Sequence, residues 1–246
     1  MSTPPPVVWR GPGAPAAGSA EAELRGLEAC RSELLATLRS RSDWEVELGF
    51  GKGRYLLGSA SAMPGRPFLG VEIVSKYFRL AVRRAAARRL DNLILLRGEA
   101  LYLISTLLPA AMARTVHIYF PDPWPKSRHH RRRLLDPRTV DLVLSLLEPS
   151  SGRLCFATDH VEYGEAVVET LGRHPAVEVE RRVGGWPEGS RTNYEAKFEE
   201  RGRHILRLVA ELRPGAASLL HPAGREAILV APSAADQPDS ASRTSS

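Results

Sequence analysis

Glu45-Val-Glu47-Leu-Gly49-Phe-Gly51-Lys-Gly53 is a short strand pattern that runs into three alternate glycines. Glycine reaches backbone conformations closed to other residues and lets a ligand come close to the chain. The dinucleotide fingerprint G-x-G-x-x-G is not met, because its third glycine would stand at position 54, which is Arg54. On the residues alone, a tight turn with no ligand and a loop that cradles one are both open. The elements around the loop favour the second.

Working outward, strand and helix patterns alternate. Upstream, Leu24, Leu27, Leu34, Leu35 and Leu38 recur at helix spacing, with Ser19 placed to cap. Downstream come a helix over Arg54–Ala62, a strand over Pro67–Ile73, a helix over Ser75–Leu90 and a strand over Leu93–Leu96. A helix over Leu101–Ala113 and a strand over Thr115–Phe120 follow. Asp136 and Pro137 are a good cap and first-turn residue for a helix reaching about Glu148. Then come a strand at Gly152–Ala157, a helix at Asp159–Leu171, and strands at Val177–Val183 and His204–Leu212. The apolar run Ala227–Ala231 is one added strand or a docking segment. This alternation predicts an α/β fold, a mostly parallel sheet with helices on both faces and an antiparallel edge. One domain is expected over residues 19–232. A proline-rich disordered arm is expected over 1–18, and a small, polar, disordered tail over 233–246.

Composition narrows the class. The 246 residues are 43% hydrophobic, enough for a sizeable core, and the formal net charge of +6 suits an acidic partner. Cys30 and Cys155 form no C-x-x-C pattern and read as reduced thiols of a cytoplasmic protein. No stretch approaches the ~20 apolar residues of a membrane span. No obvious interface helix stands out, so a monomer is expected.

The second landmark is Val116–Arg133, VHIYFPDPWPKSRHHRRR. An apolar strand stops at Pro121, and Asp122, Trp124 and Lys126 follow in a proline-stiffened loop. Arg128, Arg131, Arg132 and Arg133 then form a cationic patch whose forked guanidiniums match phosphate. His129 and His130 lack a third ligand, so no metal site is expected. Trp124 reads equally as a stacking platform for a base or as a structural lid.

Acids recur at the strand ends. Glu72 closes the second strand, 19 residues after Gly53, where a carboxylate can accept both hydroxyls of a ribose. Glu99, before Ala100, is the third such acid in series. Asp159 sits at the end of the fifth strand and also reads as a helix cap, with Glu162 three residues on. Thr192-Asn193-Tyr194-Glu195 reads as a polar loop. The Ser75–Leu90 helix carries Lys76, Arg79, Arg83, Arg84, Arg88 and Arg89 and no acid, as a solvated face or as an aid to nucleic-acid binding.

Together, VELGFGKG, GVE, FPDPWPKSRHHRRRL, ATD and TNYEAKFEERG, in this order and at these spacings, resemble the bacterial tRNA (guanine-N7-)-methyltransferase family over about residues 43–212. The resemblance implies a class I (Rossmann-like) methyltransferase fold with a seven-stranded sheet. It implies methyl transfer from S-adenosylmethionine to N7 of a guanosine in the tRNA variable loop (position forty-six). It assigns the cofactor to Glu47, Gly49, Gly51, Gly53, Glu72, Glu99, Ala100 and Asp122, with Asp122 also the catalytic candidate. It assigns the guanosine to Lys126, Asp159, Thr192, Asn193, Tyr194 and Glu195, and the RNA backbone to Arg128, Arg131, Arg132 and Arg133. Glu99 stands where the family often has Asp. A small-molecule methyltransferase and an RNA-binding protein that kept the fold but lost catalysis are the rivals. The basic loop argues against the first, and the intact Glu47, Glu72 and Asp122 against the second.

Overall fold

The computed structural model describes residues 7–10 and 25–216. In chain order the elements are β1 (Val7–Arg10), β2 (Arg25–Gly26), α1 (Leu27–Arg39), β3 (Trp44–Leu48), α2 (Arg54–Ala62), β4 (Phe68–Glu72), α3 (Ser75–Ala87), β5 (Leu93–Arg97) and α4 (Ala100–Thr106). They continue with β6 (Ala113–Tyr119), a 3-10 turn (Ser127–Arg132), α5 (Val140–Leu144), β7 (Arg153–Thr158), α6 (Val161–Gly172), β8 (Val177–Arg182), α7 (Asn193–Glu200) and β9 (Leu206–Leu212).

The strands form one sheet in the order β2-β1-β5-β4-β3-β6-β7-β9-β8. Strands β3 to β7 are mutually parallel, and β9 runs antiparallel to both β7 and β8. The expected seven strands are therefore present, extended at the β5 edge by β1 and β2. Chain order runs one way from β3 through β4 to β5 and the other way through β6 and β7. The crevice beyond the carboxyl ends of β3 and β6 is thus a topological switch point, where open α/β sheets bind ligands.

Alternation along the strands sorts the two faces. Trp44, Val46 and Leu48 of β3 join Leu69, Val71, Val116, Ile118, Leu154 and Phe156 in the larger core. The opposite face carries two smaller apolar clusters, one around Phe68, Leu93 and Leu95 and one around Tyr119, Cys155 and Trp186. Between these two clusters lie buried Glu45, Glu47, Thr115 and His117, a polar strip down the central strands. A sheet interior tolerates such a strip only if its groups find partners.

Several expectations need correction. Val7–Arg10 lies within the arm expected to be disordered, yet it pairs antiparallel with β5. A β-branched and aromatic run after the prolines suits a strand and not a coil, and β1 sits between β2 and β5. The rest of that arm, Ser19, the run Ala227–Ala231 and the tail 233–246 lie outside the described residues. The helix expected from Asp136 begins only at Val140, because the Asp136 carboxylate accepts from the Arg138 N–H (2.8 Å) and holds a turn instead. The cap of α6 is His160 and not Asp159: its Nδ1 accepts from the Tyr163 N–H at 3.3 Å. Thr192–Glu195 is no loop but the start of α7.

Candidate active site

The glycine loop leaves β3 with positive φ at Gly49 (79°), Gly51 (52°) and Gly53 (70°). A Cβ at Gly49 or Gly51 would meet no atom of the described residues within 4 Å beyond its chain neighbours, so the loop presents bare backbone to an open space. The loop is held from below. Glu72, at the end of β4, accepts from the Gly51 N–H (2.7 Å) through one oxygen and from the Val74 N–H (2.8 Å) through the other. A Cβ at Gly70 of β4 would lie 2.7 Å from Phe50 Cδ1, so only glycine lets the loop settle onto the strand.

That open space is a cavity of about 660 Å³, within the range of small-molecule sites. Glu47, Gly49, Gly51, Glu72, Glu99 and Ala100 line one side of it, and Asp122, Trp124, Arg132, Thr192, Asn193 and Tyr194 the other. Gly53 lies just behind, buried against Leu57. Glu47 is 2% exposed, and its Oε2 has no hydrogen-bond partner among the described residues. Burial pushes its pKa up to about 7, with the nearby Glu72 charge adding to the rise. Burial also raises the Glu72 pKa, against the pull of its backbone N–H donors. Glu99 caps α4, accepting from the Leu101 N–H (3.0 Å) and the Tyr102 N–H (2.6 Å), so its carboxylate also fixes the wall it belongs to.

The Pro121–Pro125 loop enters the cavity from β6. Phe120 (φ 51°) and Trp124 (φ 42°) bracket Asp122 in the left-handed region, which side chains other than glycine rarely adopt. Such strain persists only where the surroundings enforce it. Here Arg133 and the Phe120 N–H bond to the Ala157 carbonyl (2.7 Å) hold the loop at two points. Arg133 is 4% exposed, donates to the Pro123 carbonyl (2.8 Å), pairs with Glu162 (3.0 Å) and lies over the Tyr163 ring. It clamps the loop and is not available to phosphate, which corrects its assignment. Arg128 and Arg131 are exposed, and the Arg132 guanidinium lies 5.0 Å from the centroid of Trp124.

The opposite wall is built by contacts distant in sequence. Thr192 caps α7 by accepting from the Glu195 N–H (3.0 Å), while Glu195 accepts from the Arg191 N–H (2.6 Å). Glu195 is fully buried and pairs with Arg207 of β9 at 2.7 Å, so it braces the wall from behind and does not face the cavity. Arg191 donates to the Tyr119 hydroxyl, and its guanidinium lies over Trp186 (4.0 Å), Tyr55 (5.2 Å) and Tyr119 (5.6 Å). Tyr119 in turn bonds His117 Nδ1 (2.7 Å), whose Nε2 meets Glu45 (2.7 Å). Burial alone would lower the His117 pKa, but Cys155 and Glu45 beside it carry it above the ordinary value. This chain partners most of the central polar strip and ends at the residue before Thr192.

The structure therefore brings Thr192, Asn193 and Tyr194 to the cavity but not Lys126 or Asp159. Lys126 is exposed at the start of the 3-10 turn, and Asp159 pairs with Arg203 at 3.2 Å. Tyr55, Phe120 and Lys197 line the cavity and were not anticipated, nor was the part played by Arg191. The Thr-x-x-Glu spacing of 192–195 is a helix-start signal that would have revealed the α7 boundary.

The chain is similar to known proteins in both sequence and fold. The family model described as "Putative methyltransferase" matches residues 42–208. A tRNA (guanine-N(7)-)-methyltransferase of Nitrosococcus oceani is 34% identical over 172 residues, 70% of this chain and 72% of that one. Its counterpart in Treponema pallidum is 34% identical over 200 residues, 79% and 77% of the two chains. Among solved structures, a variant of the 16S rRNA (adenine(1408)-N(1))-methyltransferase from Catenulisporales acidiphilia, solved with cosubstrate SAM, superposes with a TM-score of 0.53 at 20% identity. That match covers 80% of this chain and 97% of the other, and at such identity it speaks for the fold alone. The sheet order is that of a class I, Rossmann-like methyltransferase. With its glycine loop, strand-end acids and FPDPWPK loop meeting at one cavity, the chain belongs to the tRNA (guanine-N7-)-methyltransferase family.

Proposed function

We propose that this chain methylates N7 of the variable-loop guanosine of tRNA (position forty-six), using S-adenosylmethionine. The observation that carries the reading is the meeting of two walls at one cavity. Bare glycine backbone and strand-end acids stand on one side, Asp122 and Thr192–Tyr194 on the other. The residues fit the cofactor. Gly49 and Gly51 offer a cradle that any Cβ would fill, and the orphaned Glu47 oxygen suits an ammonium group. Glu72 and Glu99, held by backbone donors, present their remaining lone pairs to hydroxyl and amine groups. When bound, S-adenosylmethionine supplies an electrophilic methyl on a sulfonium.

Guanine N7 carries an in-plane lone pair and no proton, so this chain needs no general base. What it must do is hold the base in line with the methyl. Methylation leaves the ring cationic, and the exposed Asp122 carboxylate, fixed in a strained loop, stabilises that charge. Extracting the base from its stack costs a few kcal/mol, which contacts from Arg128, Arg131 and Lys126 to the RNA backbone help to offset. We read the chain as a cytoplasmic monomer, since tRNA is met in that compartment and one chain carries both walls. Among the described residues no helix is long and apolar enough to cross a membrane.

The test is direct. The protein is incubated with unmodified tRNA and labelled S-adenosylmethionine, and the label is mapped by cleavage at N7-methylguanosine. Cleavage at the variable loop is the expected result. Label elsewhere in the tRNA, or none, would overturn the proposal.

A further inference from the structure

The basic face of α3 is used by nothing described so far. Lys76, Arg79, Arg83 and Arg84 of the helix, and Arg88 and Arg89 just beyond it, are all exposed. The buried face is held by Phe78, Ala81, Val82 and Ala85, so the cations point away from the sheet. Lys76, Arg79 and Arg83 stand at helical spacing i, i+3, i+7 and form one row. On other surfaces arginines close on acids: Arg41 on Asp43, Arg173 on Glu169, Arg181 on Glu165 and Arg203 on Asp159. The α3 cations form no ion pair among the described residues. Among the described residues only Arg84 is tied, to the carbonyl of Lys52 at 3.0 Å.

Position gives the row its meaning. The α3 helix follows β4, and Ile73, Val74 and Tyr77 at its start line the cavity. The 3-10 turn Ser127–Arg132 follows β6. Strand β3 and its glycine loop lie between β4 and β6, so the two cationic segments flank the cavity from opposite sides. Lys52 and Arg54 on one side and Arg132 and Lys197 on the other continue positive charge around the cavity wall. A folded polyanion whose one base enters the cavity has backbone on both sides of that base.

We infer that the exposed row of α3 is a second phosphate track for the tRNA, gripping the backbone across the cavity from the 3-10 turn. The inference rests on the tRNA reading above. Because the row's cations have no ion-pair partner among the described residues, they form their phosphate contacts without breaking a described internal ion pair.

The experiment uses the full chain with Arg79 and Arg83 both replaced by Ala, and measures tRNA binding across a salt series. Each lost phosphate contact should flatten the slope of log K against log salt by about 0.7–0.9. The expected result is a slope shallower by about one to two and a several-fold rise in KM for tRNA. The kcat and S-adenosylmethionine affinity should be unchanged. Arg79→Lys with Arg83→Lys should keep the slope, since charge is what the track supplies. Arg41→Ala with Arg181→Ala, on paired surfaces away from both tracks, should leave it as in the wild type. An unchanged slope in the Ala variant would overturn the inference and make α3 a solvated face. So would a fall in cofactor affinity parallel to that for tRNA, which would place the effect in the cavity. If the wild-type chain methylates no tRNA, the functional reading itself fails, and that result is separate from either α3 outcome.

Discussion

The two walls of the cavity are built in different ways. The wall to which we assign the cofactor is nearly local: Glu72 and Glu99 each hold the turn that follows them, and Glu72 also reaches the glycine loop of the neighbouring strand. Glu72 ties Gly51 and Val74, and Glu99 ties Leu101 and Tyr102. The wall to which we assign the guanosine is assembled at long range. Arg191 reaches Tyr119, and Arg207 of β9 reaches Glu195 of α7. The local wall is repeated strand–turn–helix geometry, while the distant wall depends on a few buried charged and aromatic contacts. Damage should therefore spread further in the second wall than in the first.

The largest effect is expected at Glu195. Its replacement by Ala leaves the Arg207 guanidinium, 7% exposed, without its buried carboxylate. Removing one partner of a buried pair costs about 3–5 kcal/mol, and Glu199, which still pairs with Arg207, holds the loss to about 3 kcal/mol. Thermal unfolding should show a large loss of stability together with loss of tRNA methylation. A variant as stable as the wild type would mean that the two walls do not differ in this respect.

Asp122 is the place where the walls meet. Asp122→Ala should lower kcat by about 10²–10³, the usual effect of removing one group aimed at developing charge. Cofactor affinity, measured by calorimetry, should fall less, because Glu47 and Glu72 remain. Full activity would remove Asp122 from the chemistry.

The same contrast explains what could be read in the sequence. The cofactor wall was legible because its physics is local: a strand, alternate glycines and an acid a fixed distance on. All three glycines do adopt positive φ, and Glu47 and Glu72 line the cavity. The sheet followed from strand–helix alternation, and the predicted Arg54–Ala62 boundaries are those of α2. The guanosine wall was not legible in the same way. Nothing in Arg191's neighbours says that its guanidinium lies among Tyr55, Tyr119 and Trp186, because those rings arrive from three separate segments. Arg133 misled for a related reason. A run of arginines looks uniformly solvated, yet one member turned inward to clamp the strained loop.

Glu47 gives the cofactor wall a pH signature. Its folded pKa of about 7 lies above the ordinary 4.5. Below pH 4.5 the carboxyl is protonated in both folded and unfolded chains. As pH rises through the interval, the unfolded chain loses its proton first, so Glu47 subtracts stability, by roughly 1.4 kcal/mol for each unit of separation. Glu47→Gln should therefore be more stable than the ligand-free wild type at pH 8 and indistinguishable from it near pH 4. Chemical denaturation at both values checks this. The same variant should bind S-adenosylmethionine less tightly, since the carboxylate facing the cavity is gone. Equal stability at pH 8 would mean that Glu47 is not desolvated as its burial implies.

The smallest expected effect is at Arg191, and it tests whether the distant wall positions substrate or only holds the fold. Arg191→Lys keeps the positive charge but loses the flat guanidinium that lies over three rings. A desolvated cation–π contact is worth about 2 kcal/mol, and a Lys retains part of it. The variant should fold, bind S-adenosylmethionine as the wild type does, and show a KM for tRNA raised by up to about tenfold. Trp186 stacks on Arg191, so its fluorescence should shift in the variant even without RNA. If cofactor affinity and tRNA KM worsen together, Arg191 supports the whole cavity and the two walls are not independent. If KM alone moves, the residue sets the pose of Thr192–Tyr194, because it sits one peptide before them and is anchored to the strand that delivers Asp122.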